Sequence, residues 1–311
     1  MASKRPFAIN PVLTAIVMGY ANGELIADSV LPRVPVAGEQ FKYTEYGRED
    51  FRVENDLVGR TGRVSEVEFS GTQQDGSVVD RGLESPIPQS DIDQAAKLSN
   101  FDPKRNAAMK LRKKIALGRE SRVAAMTFNA ANYPAGNKAT LSGTSQWSDY
   151  TNSTPLDDIL DAKEGMIWVP NTLVLGSEVA NKIRRHPQLI KAFHGNLGDE
   201  GVVPLSFLAE MLDFDRVLVG RAFMHSANKG QTESLGRVWG KHCAMLKVES
   251  DLQDTEEATF GMSPTFGTAV AMERQDDDIG LRGGVRIRVG ESINEMITVG
   301  EFGYLFTDAI A

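Results

Sequence analysis

The residue types that most often do chemistry in proteins are sparse in this chain. The sequence has four histidines, His186, His194, His225 and His242, and one cysteine, Cys243. Two histidines that share a metal ion on a helix stand four residues apart, and no pair here has that spacing. His242 beside Cys243 would suggest a thiol nucleophile only if a pocket and a second partner accompanied it. Structural or surface roles are therefore favoured for all five side chains.

Three groups of carboxylates invite an acid–base or metal interpretation. Asp276–Asp278 would offer oxygen ligands to a hard cation, but a calcium loop alternates its ligands and has a turn glycine at a fixed place. Asp157 and Asp158 open a predicted helix, where negative charge favours the helix dipole. Asp213 and Asp215 flank a predicted helix-to-strand turn. Structural roles explain all three groups.

Motifs with a known mechanism are also missing from the sequence. It contains no G-x-x-x-x-G-K-[ST] phosphate loop, no G-x-G-x-x-G, no H-E-x-x-H and no G-x-S-x-G. We therefore expect no catalytic residue, no cofactor-binding residue and no metal ligand, and we expect that the protein is not an enzyme.

Composition limits the remaining classes. With one cysteine, the chain cannot form an internal disulfide or a multi-thiolate zinc site. The apolar run Val12–Met18 is too short to span a bilayer, so no membrane partner is expected. A net charge of −8 argues against tight binding to phosphate backbones over most of the surface. These features are typical of a globular protein made in the cytosol.

The first eighty residues have two distinct patterns. Residues 1–39 mix apolar patches with prolines and glycines, which predicts an extended arm with one short helix at Val12–Met18. From Phe41 the pattern has period two, with polar residues between the apolar ones, and turn residues are frequent. We interpret residues 40–82 as one long hairpin with a mobile tip near residues 55–62. Too little of it is apolar to bury both faces, so it either borrows stability from a neighbouring molecule or is an ordinary surface hairpin.

A helical block follows the hairpin. One helix is predicted to open at Ser90, and a second is predicted from Asp102 as N-cap and Pro103 at its first position, over about 24 residues. Arg105, Arg112 and Arg119 fall seven residues apart on one face of this second helix. That face either contacts acidic neighbours or nucleic acid, or is simply solvated.

Strands and helices alternate through the rest of the chain. The predicted helices begin at Thr154, at Ser177 with a kink or break at Pro187, and at Pro204. The predicted strands are Ile167–Val169, Leu173–Leu175, Arg216–Val219, Arg237–Val248, Phe266–Met272, Val285–Val289 and Met296–Tyr304. This order predicts an α+β fold.

The order of elements resembles the HK97-type coat protein fold of tailed bacteriophages. The most specific local points are SGTSQWSDYTNSTPLDDILDAKEGM leading into WVPNTLVLGSEVANKI, and the end VGEFGYLFTDAIA. The resemblance implies an N-terminal arm, an extended β-hairpin loop, a peripheral lobe with a long spine helix, and an axial lobe. Their implied ranges are 1–39, 40–82, 83–164 with 234–311, and 165–233, respectively.

The same resemblance implies a function and partners. Many copies would form hexamers and pentamers of an icosahedral capsid around double-stranded DNA, bound without sequence specificity. Assembly would take place in the host cytoplasm with a scaffolding protein and a portal protein, and the virion would have room for a decoration protein. Some coat proteins cross-link a loop lysine to an asparagine, but the loop here has only Lys42, at its base. The start at Met1 without a long helical leader favours a separate scaffolding protein.

Two other classes remain open at this point. An encapsulin-like shell of the same fold would enclose a cargo enzyme instead of DNA, and a soluble α+β enzyme would have the arm and hairpin as ordinary insertions. On the shell interpretation, charged residues of the loop and of the long helix would meet other subunits. These candidates for intersubunit contact are Arg48, Glu49, Arg52, Glu54, Arg60, Arg63, Glu66, Glu68, Arg105, Arg112 and Arg119.

Overall fold

The computed structural model describes residues 7–18, 24–46, 56–58, 60–64, 66, 71–98, 102–195, 201–225, 227, 230–255 and 257–311. Outside these ranges lie the predicted strand pattern at Phe51, Val53, Val67 and Phe69, and the contact candidates Arg48, Glu49, Arg52, Glu54 and Glu68.

The described chain contains both helices and strands, with long runs of consecutive strands, as in an α+β fold. The helices are α1 (Pro11–Met18), α2 (Ala27–Val30), α3 (Gln89–Leu98), α4 (Pro103–Thr127), α5 (Pro155–Glu164), α6 (Ser177–Ile183), α7 (Pro187–His194) and α8 (Leu205–Met211). The strands are β1 (Ala8–Ile9), β2 (Arg33–Val36), β3 (Gln40–Tyr46), β4 (Gly71–Ser77), β5 (Val79–Pro88), β6 (Lys138–Thr140), β7 (Thr172–Gly176), β8 (Arg216–Gly220), β9 (Phe223–His225), β10 (Leu235–Arg237), β11 (Cys243–Leu246), β12 (Gly261–Asp276), β13 (Gly284–Ile293), β14 (Met296–Ile297) and β15 (Gly303–Thr307).

The long helix α4 organises the first half of the molecule. Its start is as predicted, because the Asp102 side chain accepts hydrogen bonds from the amides of Lys104 and Arg105, and Pro103 needs no donor there. Its 25 residues span about 37 Å. The apolar face of α4, which includes Leu111 and Ile115, packs on a sheet in the order β1-β12-β13-β5.

The described part of the N-terminal arm lies on its own chain. Leu13 and Val17 of α1 are buried against α4 and the sheet, so the predicted short helix is present. β1 pairs with β12 in antiparallel orientation and β2 pairs with it in parallel orientation. A second short helix, α2, packs against α4. In its described parts, residues 7–18 and 24–36, the arm is therefore a built-in layer of the subunit and not a free extension.

The predicted hairpin is present as a two-stranded ribbon of β3 and β4. Its register runs from Gln40 opposite Ser77 to Tyr46 opposite Gly71. The ribbon ends earlier than the predicted boundary at residue 82, because β5 begins at Val79 and pairs along its whole length with β13 in the main sheet.

A second sheet, in the order β6-β15-β11-β7-β8, is covered on both faces. Leu173 and Leu175 of β7 point into one apolar cluster with residues of α5 to α8. Val174 lies between them in sequence and points into the other cluster, which contains Val123 of α4 and Trp239. Strand residues alternate between faces, so two cores share this sheet.

Three predicted elements in the second half were wrong. Ile167–Val169 forms bends and no strand. The strand predicted over Arg237–Val248 is reduced to the last residue of β10 and to the short strand β11. The single strand predicted over Met296–Tyr304 is broken into β14, a 3-10 turn at Gly300–Phe302, and β15. A side chain at position 300 would approach the carbonyl of Asn132 to 2.2 Å, so the chain turns here against a neighbouring backbone. Alternation of apolar residues does not reveal such a contact.

Pro187 divides the predicted helix after Ser177 into α6 and α7, as its missing amide donor requires. Ser177 is the first residue of α6, and Gly176 occupies the cap position.

Candidate assembly surfaces

The side chains that first suggested chemistry have structural partners. His186 accepts a hydrogen bond from the amide of Gln188 at the start of α7 and lies 3.1 Å from the Ser153 hydroxyl. Burial lowers the pKa of His186. Cys243 is buried in β11, where burial raises the pKa of its thiol. A thiol held neutral in an apolar strand is a poor nucleophile.

The carboxylate groups are also engaged within the chain. Asp276 accepts hydrogen bonds from Arg286 and from the amide of Asp278, which closes the β12–β13 turn. Asp158 accepts one from the Trp147 indole at 2.8 Å. Among the residues that the structure describes, no group of three His, Cys, Asp or Glu side chains is placed to hold a metal ion. No helix in the described ranges is long and apolar enough to cross a membrane.

The β3–β4 ribbon is attached to the body only near its base, as far as the described residues extend. Tyr43 packs on a small cluster of Val34, Leu252 and Met262. The Thr255 hydroxyl donates a 2.6 Å hydrogen bond to the carbonyl of Lys42. Beyond this anchor, β4 has the polar sequence GTQQDGS. The contact candidates Arg60, Arg63 and Glu66 in the connection between β3 and β4 are exposed.

The three arginines predicted on one face of α4 have different environments. Arg105 is exposed, as the prediction of a contact surface requires. Arg112 lies 2.9 Å from Glu291 of β13, with its side chain 13% exposed. Arg119 is only 2% exposed. For Arg112 and Arg119 the interpretation as an outward basic face must be corrected, because the arm and β13 cover that part of α4.

Arg119 is the centre of a charged cluster between the arm and α4. Its guanidinium donates to the carbonyl of Leu31 at 3.0 Å and to the Ser263 hydroxyl at 2.9 Å, and it pairs with Asp28. Arg33 bridges Asp28 and Glu291 at 2.8 and 3.0 Å. Opposite charges thus fasten the arm to both α4 and the sheet.

Glu120, the neighbour of Arg119, is fully buried and was missed by sequence analysis. One carboxylate oxygen accepts from the Ile26 amide at 3.0 Å and the Trp239 indole at 2.6 Å. The other accepts from the Ala27 amide at 2.9 Å. A carboxylate of α4 therefore caps the start of α2, and it also holds Trp239 in the core. No local pattern in the sequence marks Glu120, because its three hydrogen-bond donors come from the arm and from Trp239.

We expect this cluster to make subunit stability depend on acid pH through Glu291. Burial alone would raise the pKa of Glu291, but Arg33 and Arg112 outweigh it and lower that pKa below its usual value. A carboxylate with a lowered folded pKa contributes stability above its unfolded pKa, and this is lost as the pH falls through the folded pKa. The free energy of unfolding of the unassembled subunit should therefore decrease as the pH is lowered past about 4.3, the ordinary glutamate pKa. Glu291→Gln should flatten this part of the profile, and an unchanged profile would contradict the assignment.

Two curated proteins resemble the chain over most of its length. It is 46% identical over 311 residues to the major capsid protein of Pseudomonas phage JBD67, and the matched region covers 99% of each chain. It is 29% identical over 266 residues to the major capsid protein of Burkholderia phage BcepMu, covering 83% of this chain and 82% of that one. No protein-family model matches the sequence.

Solved structures with the same fold include a phage-related protein of Bordetella bronchiseptica, with a TM-score of 0.77, 23% identity and 98% coverage of both chains. The capsid of a native GTA particle gives a TM-score of 0.55 at 12% identity, covering 93% of this chain and 91% of that one. The capsid of cyanophage P-SCSP1u gives 0.53 at 10% identity, covering 88% and 85%. The fold is therefore the predicted HK97-type coat fold.

The chain is 46% identical over its full length to a phage major capsid protein, and it shares the fold of capsid proteins whose structures are solved. The chain belongs to the major capsid proteins of bacteriophages, and it is a structural subunit of a virion capsid and not an enzyme.

Proposed function

We propose that copies of this chain close into an icosahedral shell of hexamers and pentamers around double-stranded DNA, with the β3–β4 ribbon and its connection, residues 40–77, acting as a strap to an adjacent copy. Assembly takes place in the host cytoplasm around a scaffolding protein, with a portal protein at one vertex and space for a decoration protein outside. The lobes that the fold resemblance implies, 83–164 with 234–311 and 165–233, form the body of each subunit. Membership of the capsid protein family supports self-assembly. The scaffolding protein, portal protein, DNA and decoration protein are proposed from the fold resemblance.

The β3–β4 ribbon is the observation that carries the strap proposal. A two-stranded ribbon is marginally stable in water, and this one has apolar contacts to the described body only around Tyr43. Most of the described side chains of β4 are exposed. A neighbouring subunit supplies the missing contacts, and charged residues of the connection set the register.

The exposed basic residues of α4 support a weak contact with packaged DNA. Arg105, Lys110, Lys113 and Lys114 are all exposed on this helix. Lysine and arginine bind phosphate oxygens without reading sequence. The chain as a whole carries a net charge of −8, which keeps that contact weak. A capsid interior that presents these side chains holds DNA at high density without binding it tightly.

Charge reversal in the strap tests the proposal. We expect Arg60→Glu with Arg63→Glu to abolish particle formation, because each exposed ion pair contributes only ~0–1 kcal/mol but every copy in the shell loses its pairs. Particle yield is measured by sedimentation and negative-stain microscopy after expression with the phage's own scaffolding protein. Urea unfolding of the unassembled subunit should be unchanged, since both arginines are exposed.

The matched control replaces the same two residues with lysine, which keeps the charge at both positions. This control should assemble. Normal particle yield from the glutamate variant would contradict the role of the strap, and it would leave the membership of the capsid family untouched.

A further inference from the structure

The β9–β10 hairpin exposes an unusual apolar face. β9 and β10 form a two-stranded sheet of their own, with Phe223 opposite Arg237 and His225 opposite Leu235, so these four side chains share one face. Phe223 is 51% exposed and Leu235 is 64% exposed. The Arg237 guanidinium stacks on the Phe223 ring at 3.9 Å and donates to the carbonyl of Arg221 at 3.2 Å. This hairpin face thus combines two exposed apolar side chains with an arginine that is held in place by a ring and a carbonyl.

The opposite face of the hairpin contacts α4 of the same subunit. The Ser121 hydroxyl of α4 lies 3.4 Å from the sulfur of Met224, which alternates with Phe223 along β9. Tying Met224 to α4 directs the hairpin face away from its own subunit. Glu233 is the only acidic residue in the sequence from 221 to 237, and it lies 4.0 Å from His225. Arg221 and Arg237 therefore leave the hairpin with a positive balance.

A complementary surface lies on α5. Its outward residues, spaced as one helix face, are Asp157, Leu160, Asp161 and Glu164, and we call them the α5 stripe. Leu160 is 41% exposed, and Ile167, just beyond the helix, is 47% exposed. The α5 stripe therefore combines apolar surface with three carboxylates.

The inward face of α5 is fixed in the core. Ile159 is buried there, and Asp158 is bonded to Trp147. Burial, together with the charges of Asp157 and Asp161, raises the pKa of Asp158, as expected where negative charges gather. A fixed inward face keeps the α5 stripe in a constant orientation.

The hairpin face and the α5 stripe are at opposite ends of β8. Lys163 of α5 donates to the carbonyls of Leu212 and Asp213, just before β8 begins at Arg216. The hairpin starts at Phe223, just after β8 ends at Gly220. Contact between two different patches at separate places on identical subunits generates a head-to-tail arrangement, which closes into a ring when the rotation allows.

We propose that the hairpin face of one subunit docks on the α5 stripe of the next subunit in a ring of the capsid. Phe223 and Leu235 cover Leu160 and Ile167, removing apolar surface from water. Arg221 and Arg237 pair with Asp161 and Glu164, which sets the direction of the contact. The occupant of each surface is a second copy of this chain, because the two surfaces match in both apolar character and charge. This inference rests on the capsid function and is independent of the strap.

A charge-swap experiment tests the contact. Arg221→Glu with Arg237→Glu should lower particle yield by about tenfold, because like charges then face each other, and Asp161→Arg with Glu164→Arg should do the same. The chain carrying all four changes should recover assembly. Normal yield from either pair alone, or no recovery in the fourfold variant, would overturn the proposal.

A cross-linking experiment covers the case in which a charge variant fails to fold. Leu235→Cys with Leu160→Cys, in the otherwise natural chain, should give a ladder of disulfide-linked subunits from oxidised particles on a non-reducing gel. Each single cysteine variant should give no ladder, and the natural Cys243 is buried. Assembled particles of the double variant that give only monomers would refute the docking, while the strap variants report separately on the strap.

Discussion

Glu120→Ala should lower the free energy of unfolding by roughly 3–6 kcal/mol, because it leaves three buried donors without an acceptor. Those donors are the amides of Ile26 and Ala27 and the indole of Trp239. Glu120→Gln retains one acceptor oxygen and should have an intermediate effect. Urea unfolding of the unassembled subunit measures both.

The matched control is Glu210→Ala, which removes an exposed carboxylate from α8 and should change stability little. Hydrogen exchange adds a local measurement, since the amides of Ile26 and Ala27 should lose protection first in the Glu120 variants. Equal stability of Glu120→Ala and Glu210→Ala would show that the buried carboxylate does not hold the arm.

Gly176→Ala should lower the free energy of unfolding by roughly 2–4 kcal/mol, which is in or slightly above the usual range for overpacking. The effect should be nearly as large as that of Glu120→Ala. A methyl group at this position would lie 2.1 Å from the carbonyl oxygen of Gly240 and 3.0 Å from that of Trp239. Both obstacles are backbone atoms, so no side-chain rotation relieves them. The junction of β7 and α6 would have to shift, and with it the centre of the second sheet.

Gly136→Ala provides the comparison, because nothing lies within 4 Å of a methyl group at that position. It should leave the thermal midpoint unchanged or raise it slightly, since alanine restricts the unfolded chain. A soluble Gly176→Ala subunit that unfolds at the same temperature as Gly136→Ala would contradict the close approach of the two backbones.

Local signals predicted much of the fold. Asp102 and Pro103 determine the start of α4 through groups adjacent in the chain, and Pro187 ends a helix by its own chemistry. The alternation of Phe41 and Tyr43 correctly indicated a strand. Such features depend on a few neighbouring residues, and the order of elements then indicated the fold family.

The partners of charged residues depend on distant parts of the chain and could not be predicted. Helical periodicity placed Arg119 on one face of α4, but it could not say that residues near Asp28 and Ser263 would cover that face. Glu120 depends in the same way on Trp239. The Phe223–Arg237 stack needs the pairing of β9 with β10. Local sequence patterns therefore predict the order of elements. Which surfaces stay exposed for other subunits depends on contacts between distant residues, and those contacts cannot be predicted from such patterns.

The pairing of the arm with β12 affects how the chain folds during its synthesis on the ribosome. Leu31 accepts a hydrogen bond from Ser263, 232 positions later in the chain. The arm leaves the ribosome early and can contact α4 first, but its contacts with the sheet form only after β12 and β13 have also emerged. Pairing over such a separation is slow, because a long loop must close first. A nascent chain therefore lacks the finished surface between the arm and the sheet until these distant strands have been made.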